Sequence, residues 1–433
     1  MKPTTIFSLA LLGVGFAAPL SAQRPGLTMI HAGHLIAEPG KAARGPSTIT
    51  ISDGRIVSVH DGYQLPPDVA VRVIDLKDKY VLPGLIDSHV HLTSDAGGIA
   101  GQLEEVTLSP AAQAFNAEAN GMKTLRAGFT TVRNLGDGDG AVLALRDAIA
   151  AGKVQGPRIL DAGVSLSGTA GHMDGALGYR DDLRPYFESA GSTCNGADDC
   201  RRAVRVQIGR NVDVIKFAST GGVNSRIGVG VGQQMFEDEA RAIVDTAHLF
   251  GKKVAVHAHG ADGIRLALIA GADSVEHGTI LTDEVVNLWA KSETYYVPTL
   301  STVNGYKERL AANPGAYAPD VLAKIKWRID ITGKALQVLV PRGVKIAFGT
   351  DAGVSKHGRN ADEFELLVAN GMTPTSALVA ATVNAADLLG LASEIGTIAP
   401  GKSADIIAVT GDPLSDVTVL KKVDFIMARG EVI

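Results

Sequence analysis

Two periods of apolar residues alternate along this chain. From Leu27 to about Val81 they recur at every second position, in LTMIHAGHLI, STITISDGRIVSVH and VRVIDLKDKYVL, which is the pattern of half-buried strands. Asp53-Gly54 supplies a hairpin turn inside the second run. The tail from Gly396 to Ile433 returns to the same period in ADIIAVTGDP and VDFIMARGEVI. Chain ends that both read as β, around a middle that does not, predict one small β-sandwich assembled from two pieces, 23–84 and 394–433.

Between those pieces short apolar strands alternate with amphipathic helices. The strand candidates are LIDSHVHL, TTVRNLG, RILDAGVSLSG, VIKFAS, VAVHAH, SVEHG, YYVPTL and KIAFGTDAG. Helical periodicity fills the intervals, as in SPAAQAFNAEANGMKTLRAG and FEDEARAIVDTAHLFGK. Eight such units over roughly 300 residues predict an α/β fold, a (β/α)₈ TIM-type barrel over 85–393. Functional side chains of such a barrel gather at the C-terminal ends of its strands.

Those ends are occupied by a restricted set of residues. Strand one ends in His89 and His91, which share a face because strand side chains alternate. Strand four carries Lys216, strand five ends in His257 and His259, strand six in His277 and strand eight in Asp351. Five of the chain's 11 histidines thus fall on one rim. Histidines serving only as surface groups would be spread over helices and loops.

Composition narrows the class. Of 433 residues, 45% are hydrophobic and 20% charged, as in a soluble globular protein. Lys plus Arg number 41 against 46 Asp plus Glu, a net charge of −5, and no basic run could track a phosphate backbone, so nucleic acid is excluded as a partner. Residues 1–22, with Lys2, an apolar run from Ile6 to Ala18 and small residues at Ser21 and Ala22, read as a cleaved signal peptide. The expected address is periplasmic or secreted, with no membrane attachment after cleavage. In that oxidising setting Cys194 and Cys200, six residues apart in a Gly/Asn/Asp-rich loop, suit a local disulfide; two free thiols are the alternative.

Taken together the motifs resemble the amidohydrolase superfamily: HxH after the first strand, a mid-barrel Lys, a His on strands five and six, an Asp on strand eight, and a split β domain. The runs TTVRNLG, GHMDG, DVIKFASTGGV, HAHGADGI, SVEHGTI and PTL look like its imidazolonepropionase-like and Xaa-Pro dipeptidase branch, which includes ochratoxin-hydrolysing members. The resemblance implies two divalent metal ions. His89, His91 and Asp351 would hold one, His257 and His277 the other, and Lys216 would bridge them as N6-carboxylysine. A bare ammonium between two dications would be repelled, whereas a carbamate is an anion. Imidazole and carboxylate ligands suit Zn²⁺, with Mn, Co or Fe open.

The resemblance further implies hydrolysis of a small amide or dipeptide next to a carboxylate-bearing residue, including ochratoxin-type N-acyl amino acids. A homo-oligomer is expected by the same likeness. Asp351 would move the attacking water's proton to the leaving amine, and His172 and His259 would polarise the carbonyl or orient substrate. Arg226, in the loop after Lys216, and His357 are further candidates for substrate contact. Cyclic-amide, lactone or deacetylase hydrolysis stays open within the superfamily. Outside it, Lys216 could form a Schiff base as a lyase nucleophile, or the chain could be a non-catalytic exported binding protein.

Overall fold

A computed structural model of the protein describes residues 26–67, 71–138, 140–225 and 230–433. The signal-peptide segment and Arg226 lie outside the described residues. The strands are β1 (Thr28–Leu35), β2 (Ser47–Ser52), β3 (Arg55–Asp61), β4 (Arg72–Pro83), β5 (Leu85–Val90), β6 (Phe129–Asn134), β7 (Arg158–Asp161), β8 (Val214–Ala218), β9 (Lys253–Ala258), β10 (Ser274–His277), β11 (Tyr295–Val297), β12 (Ile406–Val409), β13 (Val423–Ala428) and β14 (Glu431–Val432).

Both chain ends meet in one seven-stranded sheet of order β14-β13-β12-β4-β1-β2-β3. Asp53 and Gly54 turn β2 into β3 with φ of 50° and 74°, the left-handed pair that matches strand twist in a two-residue hairpin. Strand β12 then pairs antiparallel with β4, from Ile406 opposite Pro83 to Val409 opposite Tyr80, which joins the tail to the head. One face buries Ile30, Leu35, Ile49, Ile56, Val81, Ile406 and Met427 together. The expected sandwich is met as far as both ends share a sheet.

The middle of the chain forms two parallel sheets, β5-β6-β7 and β11-β10-β9-β8. Strands β5, β6, β8 and β10 are buried at every residue, because side chains pack on one face and helices on the other. The first long crossover helix, Pro110–Arg126, starts on Ser109, whose side chain accepts from the Ala112 amide, and has Pro110 in its first turn. Backbone bonding continues across both gaps between the sheets. On one side Leu166 donates to Lys216 O at 2.9 Å and accepts from Ala218 N at 2.8 Å. On the other, Ala347 donates to Tyr296 O at 3.0 Å and Ser88 to Phe348 O at 2.9 Å.

The eighth strand expectation needs correction. KIAFGTDAG forms no regular strand and meets its neighbours through isolated bridges, Ile346 with Tyr296 and Ala352 with Val90. The cause is local: a Cβ on Gly349 would lie 2.4 Å from Val297 Cγ1 and 3.0 Å from His89 Cβ, and Asp351 takes φ of 56°. The segment presses into the sheet and then turns.

Cys194 and Cys200 are disulfide-bonded. The bond ties the segment paired with Ser167 to the helix Ala197–Gly209. A closure of six residues restricts the unfolded chain little, contributing about 2 kcal/mol at most. Denatured, unreduced protein is therefore expected to show no reactive thiol. A Cys194→Ala/Cys200→Ala double variant should melt only a few degrees lower, measured by scanning calorimetry.

Candidate metal and catalytic centre

Parallel strands end together, so their last residues are brought to one place. His89 and His91 come from the end of β5, Lys216 from β8, His257 from β9 and His277 from β10. His259 follows β9, and Asp351 follows the bridged segment after Phe348. All seven line one cavity of about 160 Å³, joined there by His172. It adjoins a wider cleft of about 520 Å³ that shares His91, His172, Met173, Asn224 and Val354.

The donors are close enough to share ions. Asp351 Oδ1 lies 3.5 Å from His89 Nε2 and 3.4 Å from His91 Nε2. His89, His277 and Asp351 form one group able to hold an ion, and His257, His259 and His277 another, each with ligand atoms within 4.8 Å. His277 belongs to both. The sequence did not single out His259 as a donor; in space it stands with His257 and His277.

Two of these donor positions carry backbone strain. His277 and Asp351 have φ of 69° and 56°, and Thr299, which bonds His277, has 50°. Such conformations cost about 1–3 kcal/mol each for residues with a Cβ, and the surrounding structure holds them where the side chains must turn into the cavity.

Burial sets the charge states. It pulls His89, His257, His259 and His277 well below the usual imidazole range, His91 down to about 4 and His172 to about 3. These rings are neutral, with lone pairs to give. Burial also pulls Lys216 down to about 8, against the pull of Glu276 and Asp351. It pushes Asp351 up to about 7, against the attraction of Lys216.

Neighbouring groups fix which nitrogen faces inward. His89 Nδ1 bonds Glu276 Oε2 at 2.8 Å, and Arg133 holds the other carboxylate oxygen at 2.9 Å. Burial would raise Glu276, but Arg133 and the His89 hydrogen bond hold it down at about 2. Thr299 gives its hydroxyl proton to Pro298 O, so its oxygen accepts from His277 Nδ1 at 2.7 Å. His91 Nδ1 meets Gly136 O at 3.2 Å. In each case Nε2 is left for a ligand.

This donor set fits divalent ions. His257 Nε2 is buried without any hydrogen-bond partner, which is costly for a polar atom unless a cation takes its lone pair. Neutral imidazoles, their outer nitrogens anchored, surround a carboxylate that burial alone would push toward protonation. A dication would keep that carboxylate ionised.

Other predicted residues divide. His172 lies over His257, ring centroids 4.2 Å apart, with Nδ1 on Ser225 Oγ at 2.7 Å. A Cβ on Gly222 would strike its ring at 2.2 Å, so the STGGV loop needs glycine there for His172 to reach the cavity. His357 is a correction: it does not line the cavity. Its ring is buried behind β5, with Nε2 at 3.0 Å from His91 O and Nδ1 at 3.3 Å from Thr124 Oγ1, and it supports the strand end.

Glu276, Arg133, Thr299, Tyr306 and Arg328 went unnoticed in the sequence. Glu276 had a signal, a carboxylate beside His277 in a strand otherwise read as apolar, and so had Arg133 in TTVRNLG.

Comparison with known proteins agrees with this geometry. Residues 80–433 match the model of the amidohydrolase family. Ochratoxinase from Aspergillus niger is 33% identical over 417 residues, covering 93% of this chain and 85% of that protein. An imidazolonepropionase from Symbiobacterium thermophilum is 26% identical, covering 89% and 91%. The crystal structure of a Xaa-Pro dipeptidase with methionine bound in its active site superposes with a TM-score of 0.88 at 38% identity, covering 94% of this chain and 99% of that one. These likenesses imply a TIM-barrel fold for the mixed α/β region. The chain belongs to the amidohydrolase family and is a hydrolytic enzyme acting on amide bonds.

Proposed function

We propose that this protein is a binuclear metal-dependent amidohydrolase that cleaves an amide or peptide bond next to a carboxylate-bearing residue. The observation that carries it is the buried, partnerless His257 Nε2 among neutral imidazoles converging with Asp351. Bond types named for its relatives, a dipeptide and ochratoxin, support the substrate class. The barrel would run over 85–393, between sandwich pieces 23–84 and 394–433, in an exported homo-oligomer.

His89, His91 and Asp351 would hold one ion and His257 and His277 the other. When bound, two such ions supply a nucleophilic water at neutral pH and polarise the scissile carbonyl. Lys216 lines the same cavity. Its amine, brought down to about 8 by burial, is neutral in part near neutral pH and would add carbon dioxide through nitrogen, losing one proton to give a carbamate that could hold both ions. Asp351 takes the attacking water's proton and delivers it to the leaving nitrogen. His172 and His259 orient the carbonyl.

Elemental analysis of native protein is the test. Two ions per chain, Zn²⁺ first among them, are expected, and Lys216→Ala should fall to one or fewer. A lysine variant with undiminished metal content would remove the bridge from the proposal, and native protein without bound ions would remove the proposal itself.

A further inference from the structure

The cavity has a second wall, made by helices and not by strand ends. The helix Thr302–Ala312 contributes Thr302 and Tyr306, and the helix Pro319–Asp330 contributes Arg328. Val321, Ile325 and Arg328 are the buried residues of that second helix, spaced as one stripe. A stripe of this kind is served by aliphatic side chains. Here its last member is a guanidinium, only 3% exposed.

That cation lacks a fitting partner. Its contacts are to Thr332 Oγ1 at 3.4 Å, Pro298 O at 3.4 Å and Thr299 O at 3.5 Å, all longer than a good N–H···O bond. Among the described residues no carboxylate oxygen lies within 4.0 Å of it. The contrast with Arg133 is direct, since that equally buried arginine meets Glu276 at 2.9 Å. A buried guanidinium without a counter-ion is costly, and the cost is removed if an anion binds during function. Tyr306, also 3% exposed, offers a phenol on the same wall.

Building on the proposed metal-dependent amide hydrolysis, we propose that Arg328 is the receptor for the substrate's carboxylate, with Tyr306 as its neighbour in the cavity. Arginine's planar fork suits a carboxylate bidentately, which fixes orientation as well as charge. The amino-acid side of the scissile bond then sits in the inner cavity, and the acyl group extends toward the wider cleft. Arg226, the loop arginine singled out in the sequence, lies outside the described residues.

The test compares two probes on the metal-loaded enzyme: N-acetyl-phenylalanine and N-acetylphenethylamine, which is the same amide without its carboxylate. Wild type should favour the acid by about 100-fold in kcat/KM. Arg328→Met should erase that preference mainly through KM, with metal content and melting temperature checked alongside, and Arg328→Lys should restore part of it. Calorimetry of N-acetyl-phenylalanine on the same proteins reads binding without turnover, and Arg328→Met should bind at least about tenfold more weakly. Equal hydrolysis of both probes by wild type, an acid preference surviving in Arg328→Met, or unchanged or absent binding of the acid would each overturn the receptor. Failure of the wider reading looks different, as amide hydrolysis that persists in verified metal-free protein.

Discussion

Exhaustive chelation should bring amide hydrolysis below detection while leaving a folded protein, and returning Zn²⁺ should restore it. His89, His91 and His277 stand at the ends of strands buried at every residue, and their outer nitrogens are anchored to Glu276, Gly136 and Thr299, so this part of the cage does not depend on the ions for its shape. The proposed chemistry does depend on them. Without cations every imidazole here is neutral and Asp351 is pushed up to about 7, so the activation of water and carbonyl that two ions would supply is lost. Stability should fall as well. Each buried donor left without a partner, His257 Nε2 among them, costs about 1–3 kcal/mol, so stripped protein should melt several degrees lower and recover in proportion to added metal. Elemental analysis, circular dichroism and an amide assay on the same sample check this. Undiminished turnover in protein shown to be metal-free would end the metal reading.

What the sequence made legible follows from period. Alternation along β5 places His89 and His91 on one face, and apolar runs too short for helices identify the strands, so the strand-borne donors could be placed together without coordinates. Asp53-Gly54 was legible because few residue pairs accept two positive φ values. What stayed hidden depends on contacts far apart in sequence. Glu276 acts on His89 across 187 residues and Arg133 on Glu276 across 143, and no local pattern records such pairs. His357 sits six residues beyond Asp351 and reads as a loop residue near substrate, yet its ring turns behind β5 toward His91 O. The last strand candidate had the right apolar content, but Gly349 and the turn at Asp351 keep it from forming a regular ladder. In the sequence Arg328 is one charge among several between Pro319 and Asp330, and only the fold turns the stripe it completes toward the cavity.

Asp351→Asn should lower kcat by about 1,000-fold on an ordinary amide while changing KM little. Asparagine keeps the shape and one acceptor oxygen, so the side chain can still reach His89 and His91, but it can neither take the attacking water's proton nor return one to nitrogen. An amine leaves poorly unless protonated, and this second half of the transfer gives the variant its signature. On an acyl p-nitroanilide or aryl ester, whose leaving group departs with less help from a proton, the deficit should shrink to about tenfold to 100-fold, the part owed to the lost base. A metal ligand and nothing more would behave otherwise: the deficit would be the same for every leaving group and would follow metal content. Measuring kcat across leaving groups of graded basicity, with metal counted in each preparation, separates the two. A flat dependence in fully loaded Asp351→Asn would remove Asp351 from proton transfer, and a steep one would place it at the step in which the C–N bond breaks.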